Sequence, residues 1–196
     1  MRFFLGITGA SGAPYAARVL AGLTAAGAEV GVCASRAAGE VIAYELYRDR
    51  SLEPGAAVRR LVDEHGGSQT TLYAEDDWFS PYASGSARVD GYLICPCSMA
   101  TAGTIAASGQ SNLIHRAAGV ALKEDRRLVL VPRETPLSLV HLRNMTLAAE
   151  AGATILPAAP GFYQRPKEIG QLVDFIVQRV VDHIGLGIQL IKPWQG

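Results

Sequence analysis

The sequence predicts one doubly wound α/β domain spanning residues 1–196, a parallel sheet between two helical layers. Short apolar runs, rich in aliphatic and β-branched residues, stand at Arg2–Ile7, Glu29–Ala34, 89–95, Leu128–Pro132 and 154–157. Ala-rich helical stretches separate them, at 14–26, 37–48, 56–65, 99–107, Leu113–Lys123, 137–151 and 168–184. Strand alternating with helix implies right-handed crossovers and a sheet covered on both faces. A chain of 196 residues with 49% hydrophobic content is ample for one such core. It carries no repeat, low-complexity segment or linker that would suggest a second.

The first strand runs into Gly6-Ile7-Thr8-Gly9-Ala10-Ser11-Gly12, then Ala13-Pro14 and a helix. Pro14 suits a first helical turn, where a missing N–H costs nothing. Glycines let a backbone close on a phosphate, the helix offers its positive end, and Thr8 and Ser11 add hydroxyls. Alone, this turn reads as a mononucleotide or phosphate site, or as a plain tight turn. It is not the dinucleotide GxGxxG, and the second strand ends in Ser35-Arg36 where a ribose-binding acid would stand.

After two further helices comes a long irregular stretch, 66–87, with Ser, Asp, Gly and the aromatics Trp78, Phe79 and Tyr82. Loops of this length inside compact domains are usually functional or disordered. Its Asp76-Asp77 reads as a solvated pair. The third strand ends in Cys95-Pro96-Cys97-Ser98-Met99-Ala100-Thr101, where Ser98 suits an N-cap and Thr101 sits one turn inside. Two hydroxyl-bearing helix starts flanking a sheet switch point say more together than apart. In Ser108–Arg116, Asn112 fits a simple N-cap and Arg116 a solvated helical arginine, or both face a ligand. Lys123-Glu124 closes that helix, where the dipole favours a lysine in any case.

The fourth strand, Leu128–Pro132, reads as buried on both faces and stops abruptly at Arg133-Glu134. Ligands of open α/β sheets bind at carboxyl ends of strands. A guanidinium beside a carboxylate suits an anion that must be held and protonated, or is a surface ion pair. The Ala-rich helices and the apolar tail 184–194 leave more apolar surface than one domain hides, which predicts an oligomer.

Charge excludes some classes. Lys+Arg and Asp+Glu both number 18, which argues against nucleic acid or an anionic membrane as partner. No basic-then-apolar leader opens the chain and no apolar run approaches the roughly 18 residues of a membrane span. Cys33, Cys95 and Cys97 lie in strand-like runs and read as reduced core cysteines of a cytoplasmic protein. Cys95-Pro96-Cys97 lacks the spacer usual in zinc or thiol-exchange pairs, so no metal site is expected.

Several long runs together resemble the UbiX-type flavin prenyltransferases: GITGASG, CPCSMATAGTIAASGQSNLIHRA, KEDRRLVLVPRETPLS, HLRNM, PGFYQRP and RVVDHIGL, in the family's order over nearly the whole chain. The resemblance implies a flavodoxin-like or Rossmann-like fold that binds FMN. Members use reduced FMN and dimethylallyl phosphate, joining the prenyl group to flavin N5 and C6. The product, prenylated FMN, serves UbiD-type decarboxylases. By the same resemblance Gly9, Ala10, Ser11, Ser35, Ser98, Met99, Ala100, Thr101 and Arg116 would hold the flavin nucleotide. Lys123, Tyr163 and Arg179 would grip the prenyl phosphate with Arg133 and Glu134 in the same pocket, beside the Ser84-Gly85 turn and under Trp194. Catalytic work would fall to Glu134, Glu45, Ser11, Lys123 and Arg133.

That chemistry fits the residue types. An allylic cation forms when phosphate leaves with its charge neutralised, which Lys123, Arg133 and Arg179 can supply without a metal ion. The departing phosphate or Glu134 can then move protons. The absence of an aspartate-rich magnesium motif fits a monophosphate donor better than a diphosphate one, and leaves the choice open. The resemblance also implies trimers assembled into a homo-dodecamer, with sites between subunits. The competing readings are a flavin-dependent cysteine decarboxylase, marked by a catalytic His and a PASANT-like run where this chain has PCSMAT, and a flavodoxin-like electron carrier.

Overall fold

The structure, a computed structural model, describes residues 1–193, so Trp194 lies outside the described residues. Six parallel strands form one sheet: β1 (Arg2–Ile7), β2 (Glu29–Ala34), β3 (Thr70–Tyr73), β4 (Gly91–Cys97), β5 (Leu128–Pro132) and β6 (Thr154–Ile155). Their order is β3-β2-β1-β4-β5-β6. The helices are α1 (Ala13–Ala25), α2 (Arg36–Glu45), α3 (Pro54–His65), α4 (Met99–Ala106), α5 (Leu113–Lys123), α6 (Leu139–Glu150) and α7 (Ile169–His183).

Alternation along the buried strands builds two cores. Phe3, Leu5 and Ile7 of β1, Leu93 and Cys95 of β4, and Val129 and Val131 of β5 pack with α1, α2, α3 and α7. Phe4, Tyr92, Ile94, Leu128 and Leu130 face the other way, towards α4 and α5. Adjacent side chains on a strand point to opposite faces, so a run apolar at every position fills both layers. The expected doubly wound sandwich is present.

Three strand assignments differ from the expected ones. β4 starts and ends two residues later than the predicted run 89–95, because Asp90 turns back to accept the Arg2 amide on its carboxylate at 2.7 Å. β6 is only two residues long, although Leu156 and Ala158 still donate to the Leu130 and Pro132 carbonyls at 2.8 and 2.9 Å. The irregular stretch 66–87 hides an edge strand, β3. Its Thr-rich, half-exposed residues leave no apolar run to read. Adding it turns a 2-1-3-4-5 arrangement into the 3-2-1-4-5-6 order, with the switch point still between the first strand and the Gly91–Cys97 strand.

One glycine anchors that stretch. A Cβ on Gly31 would lie 2.0 Å from the Tyr82 ring, so glycine is what lets Tyr82 lie against β2. Tyr82 is buried and packs on Phe4 and Tyr73, with ring centroids 5.1 and 5.5 Å apart. At the other edge, α6 buries only Ala148, while Leu139, Val140, Leu142 and Leu147 are exposed.

Candidate active site

Every helix that follows a strand starts at the sheet's carboxyl edge, which gathers the first turns of α1, α2 and α4 there. Thr8 fastens two of the loops. Its buried hydroxyl donates to the Pro96 carbonyl at 2.9 Å and accepts from the Ser98 amide at 2.7 Å. That hydroxyl is therefore spent on the scaffold rather than offered to a ligand. Ser98 caps α4, accepting from the Thr101 amide at 3.2 Å and donating to the Thr101 hydroxyl at 3.0 Å. The Met99 and Ala100 amides are left without an intrahelical partner. Ser35 caps α2 through the Ala38 amide at 3.1 Å. A Cβ on Gly9 would come within 2.7 Å of the Ala37 Cβ, so glycine allows the α2 start to lean on the first loop.

The start of α1 holds a surprise for its sequence. Glu45, the last residue of α2, accepts from the Gly12 and Ala13 amides at 2.9 and 2.8 Å through one oxygen. The positive end expected to cradle a phosphate thus already faces a carboxylate of its own chain. Arg133 reaches the same loop, its Nε donating to the Ser11 carbonyl at 3.2 Å. Glu134 beside it is exposed, and among the described residues its carboxylate accepts only from its neighbour, the Thr135 amide, at 3.0 Å. A cavity of about 740 Å³, lined by Gly9, Ala37, Tyr44, Glu45 and Arg50, opens beside these loops.

The residues expected to share one pocket do not all come together within one chain. α5 begins at the carboxyl edge, with Asn112 capping it through the His115 amide at 2.9 Å, and runs down the sheet. Lys123 is its last residue, about 16 Å along the axis at 1.5 Å per residue. It pairs there with Glu124 and lies against Gly85, at the amino edge. Arg126 fixes the Ser84-Gly85 turn by donating to the Gly85 and Ala87 carbonyls at 2.6 and 2.7 Å, and Arg116 holds Ala83 at 2.9 Å. Arg179 lies on the outer face of α7, paired with Asp182 at 2.6 Å. It stands towards that helix's end, where the Ile184 carbonyl meets Arg127 at 2.9 Å just before β5. Tyr163 is half-exposed, edge-on to Phe175 with centroids 5.7 Å apart. The residues thus divide into a carboxyl-edge group (Gly9, Ala10, Ser11, Ser35, Glu45, Ser98 to Thr101, Arg133, Glu134) and an amino-edge group (Ser84, Gly85, Lys123). The resemblance carried no strand polarity, and polarity is what separates them.

Burial pushes the Cys33 and Cys97 thiols up to about 12 and raises Cys95 further, so none is a thiolate nucleophile at neutral pH. Burial also lowers the His115 imidazole, whose Nδ1 lies 2.8 Å from the Ser111 hydroxyl. Among the described residues no group of three His, Cys, Asp or Glu is placed to hold a metal, and no helix is long and apolar enough to cross a membrane. Sequence reasoning missed Arg126, which looks like one more basic residue of a KEDRR run, and Glu75, which hides in an acidic triplet.

Hydroxyl-capped helix starts around a Gly-rich turn at a switch point define a mononucleotide-binding α/β protein. A family model described as Flavoprotein matches residues 1–181. Flavin prenyltransferase UbiX of Thermoplasma acidophilum is 44% identical over 194 residues, 99% of this chain and 100% of the relative. Among solved structures, AnUbiX in complex with FMN and dimethylallyl pyrophosphate is 38% identical with a TM-score of 0.88, covering 100% of this chain and 97% of that one. A dodecameric FMN-dependent UbiX-like decarboxylase from Escherichia coli O157:H7 is 36% identical with a TM-score of 0.88, covering 100% of both chains. The chain belongs to the UbiX family of flavin prenyltransferases, within the flavoproteins.

Proposed function

We propose that the protein transfers a dimethylallyl group from dimethylallyl phosphate to N5 and C6 of reduced FMN, making prenylated FMN. The observation that carries this reading is the Arg133–Ser11 bond, which ties a strand-end cation to the Gly-rich loop. The residues fit a flavin nucleotide: Met99 and Ala100 offer amides at the start of α4, with Ser98 and Thr101 beside them. Bound reduced FMN supplies an electron-rich nitrogen and ring carbon as acceptors.

The chain's own groups have simple tasks. The Arg133 guanidinium faces the ester oxygen as its bond to the allylic carbon breaks and phosphate leaves. Two protons would be released as reduced FMN takes on the prenyl group: one would go to the central alkene carbon of the prenyl unit, and the other would leave with phosphate. Glu134, exposed beside Arg133, is the group proposed to carry the first.

We further propose that the working form is a homo-dodecamer built from trimers, in which Lys123, Tyr163 and Arg179 reach Arg133 from neighbouring copies. The exposed apolar side of α6 supports an assembly, and so does the separation of the two groups within one chain. Product would pass to a UbiD-type decarboxylase in the cytoplasm, a reducing compartment that suits three buried free thiols.

The test is anaerobic incubation with reduced FMN and either dimethylallyl phosphate or its pyrophosphate, then mass spectrometry of the extracted flavin. A flavin heavier by one prenyl unit with the monophosphate is expected. Unmodified FMN with both donors would overturn the prenyl-transfer reading and return the cysteine-decarboxylase and electron-carrier alternatives. Modification with the pyrophosphate alone would overturn the donor.

A further inference from the structure

We propose that Glu75 is a positioning residue for the flavin pocket, locking the starts of α2 and α5 to the end of β3. The inference rests on the flavin reading above and adds a residue to it. Glu75 follows the edge strand and meets three donors on two other elements. Its carbonyl accepts from the Leu113 amide at 2.7 Å, Oε1 accepts from the Asn112 side-chain amide at 3.0 Å, and Oε2 accepts from the Arg36 amide at 3.1 Å. Both carboxylate oxygens are therefore committed, one to the first residue of α2 and one to the cap of α5.

Each end of this link leads to a flavin candidate. Arg36 follows Ser35, whose own amide donates to the Ile7 carbonyl at the end of β1 at 2.9 Å. Asn112 caps α5 by accepting from the His115 amide, and one residue further on stands Arg116. A continuous series of hydrogen bonds thus runs from β1 through Ser35, Arg36, Glu75 and Asn112 to the first turn of α5, which carries Arg116. A carboxylate suits its centre for two reasons. Two helix starts direct positive potential at it, and each of two donors on different elements takes an oxygen of its own. A glutamine would turn its amide towards one of those donors, and an aspartate would fall a methylene short.

The test uses FMN itself, by quenching of its fluorescence on folded protein well below the melting temperature. Glu75→Ala and Glu75→Gln are each expected to weaken FMN binding about tenfold, the scale of one lost hydrogen bond to a charged group. The Michaelis constant for the prenyl donor is expected to stay put. Adding Asn112→Asp to Glu75→Gln reverses the polarity of the link: the introduced carboxylate can still cap α5 and now accepts from the glutamine amide. This double variant is expected to recover most of the affinity. Should Glu75→Ala not fold, Asn112→Ser carries the same expectation, since serine still caps the helix but is too short to reach Glu75 as well. Unchanged FMN affinity in the single variants, or no recovery in the double, would overturn the inference while leaving the flavin reading intact. Wild-type protein that bound no FMN would overturn both.

Discussion

Lys123 and Arg133 stand at opposite ends of the sheet in one chain: Lys123 closes α5 at the amino edge, and Arg133 follows β5 at the carboxyl edge. A phosphate cannot touch both unless a second copy supplies one of them. Lys123→Ala and Arg133→Ala proteins should each be inactive alone. Unfolded together and refolded as a mixture, they should regain activity, because about one site in four would draw an intact lysine and an intact arginine from different copies. Turnover assays on mixed and unmixed refolded protein check this.

Glu45 acts as a cap supplied from another helix. Replacing it with alanine leaves two amides at the start of α1 without their acceptor, and should cost about 1–2 kcal/mol of stability. Glu45→Gln keeps an acceptor oxygen and should lose less. Urea unfolding of the two variants orders them.

Glu134 makes no hydrogen bond beyond its own neighbourhood among the described residues, so its loss should leave the fold untouched. Glu134→Gln should slow prenyl transfer by about a hundredfold or more, as expected for a removed general acid–base group. FMN binding should be unchanged. A normal rate would remove Glu134 from the mechanism and leave the activity standing.

The outward side of α6 carries Leu139 and Leu142, 60% and 46% exposed. Glu at both positions should leave the secondary structure intact and shift the assembly to smaller species. Light scattering coupled to size exclusion reports the mass.

Cys33 and Cys97 predict an alkaline limit. Below their ordinary value of 9.0 both folded and unfolded thiols are protonated, and pH has no leverage through them. Above it the unfolded chain releases protons that the folded one retains up to about 12, so stability falls as pH rises through this window. Urea midpoints should be flat to about pH 9 and then decline, with a shallower decline when all three cysteines are alanine.

Much of the fold was legible because buried parallel strands are apolar at every position: β1, β2 and β5 begin and end where their runs do. β3 was not legible, since an edge strand packed on one side needs no such run. In the candidate site, the caps could be read because a hydroxyl or amide before a helix acts locally: Ser35, Ser98 and Asn112 all cap as their positions suggest. What Glu45 and Glu75 do was invisible, because their partners lie 32 to 39 residues away in the chain. The resemblance put Arg133 and Lys123 in one pocket without saying which copy supplies each, and within one chain the whole length of β5 runs between their positions.

The absent side chain at Gly31 has a practical side. Tyr82 occupies that space as a peg in a socket, so the path of the long loop is dictated from inside the core. Its tip is a separate matter: Phe79 is wholly exposed and Trp78 nearly half. An engineer seeking to change what the loop greets can therefore rewrite the tip freely, provided the peg and its socket are kept together.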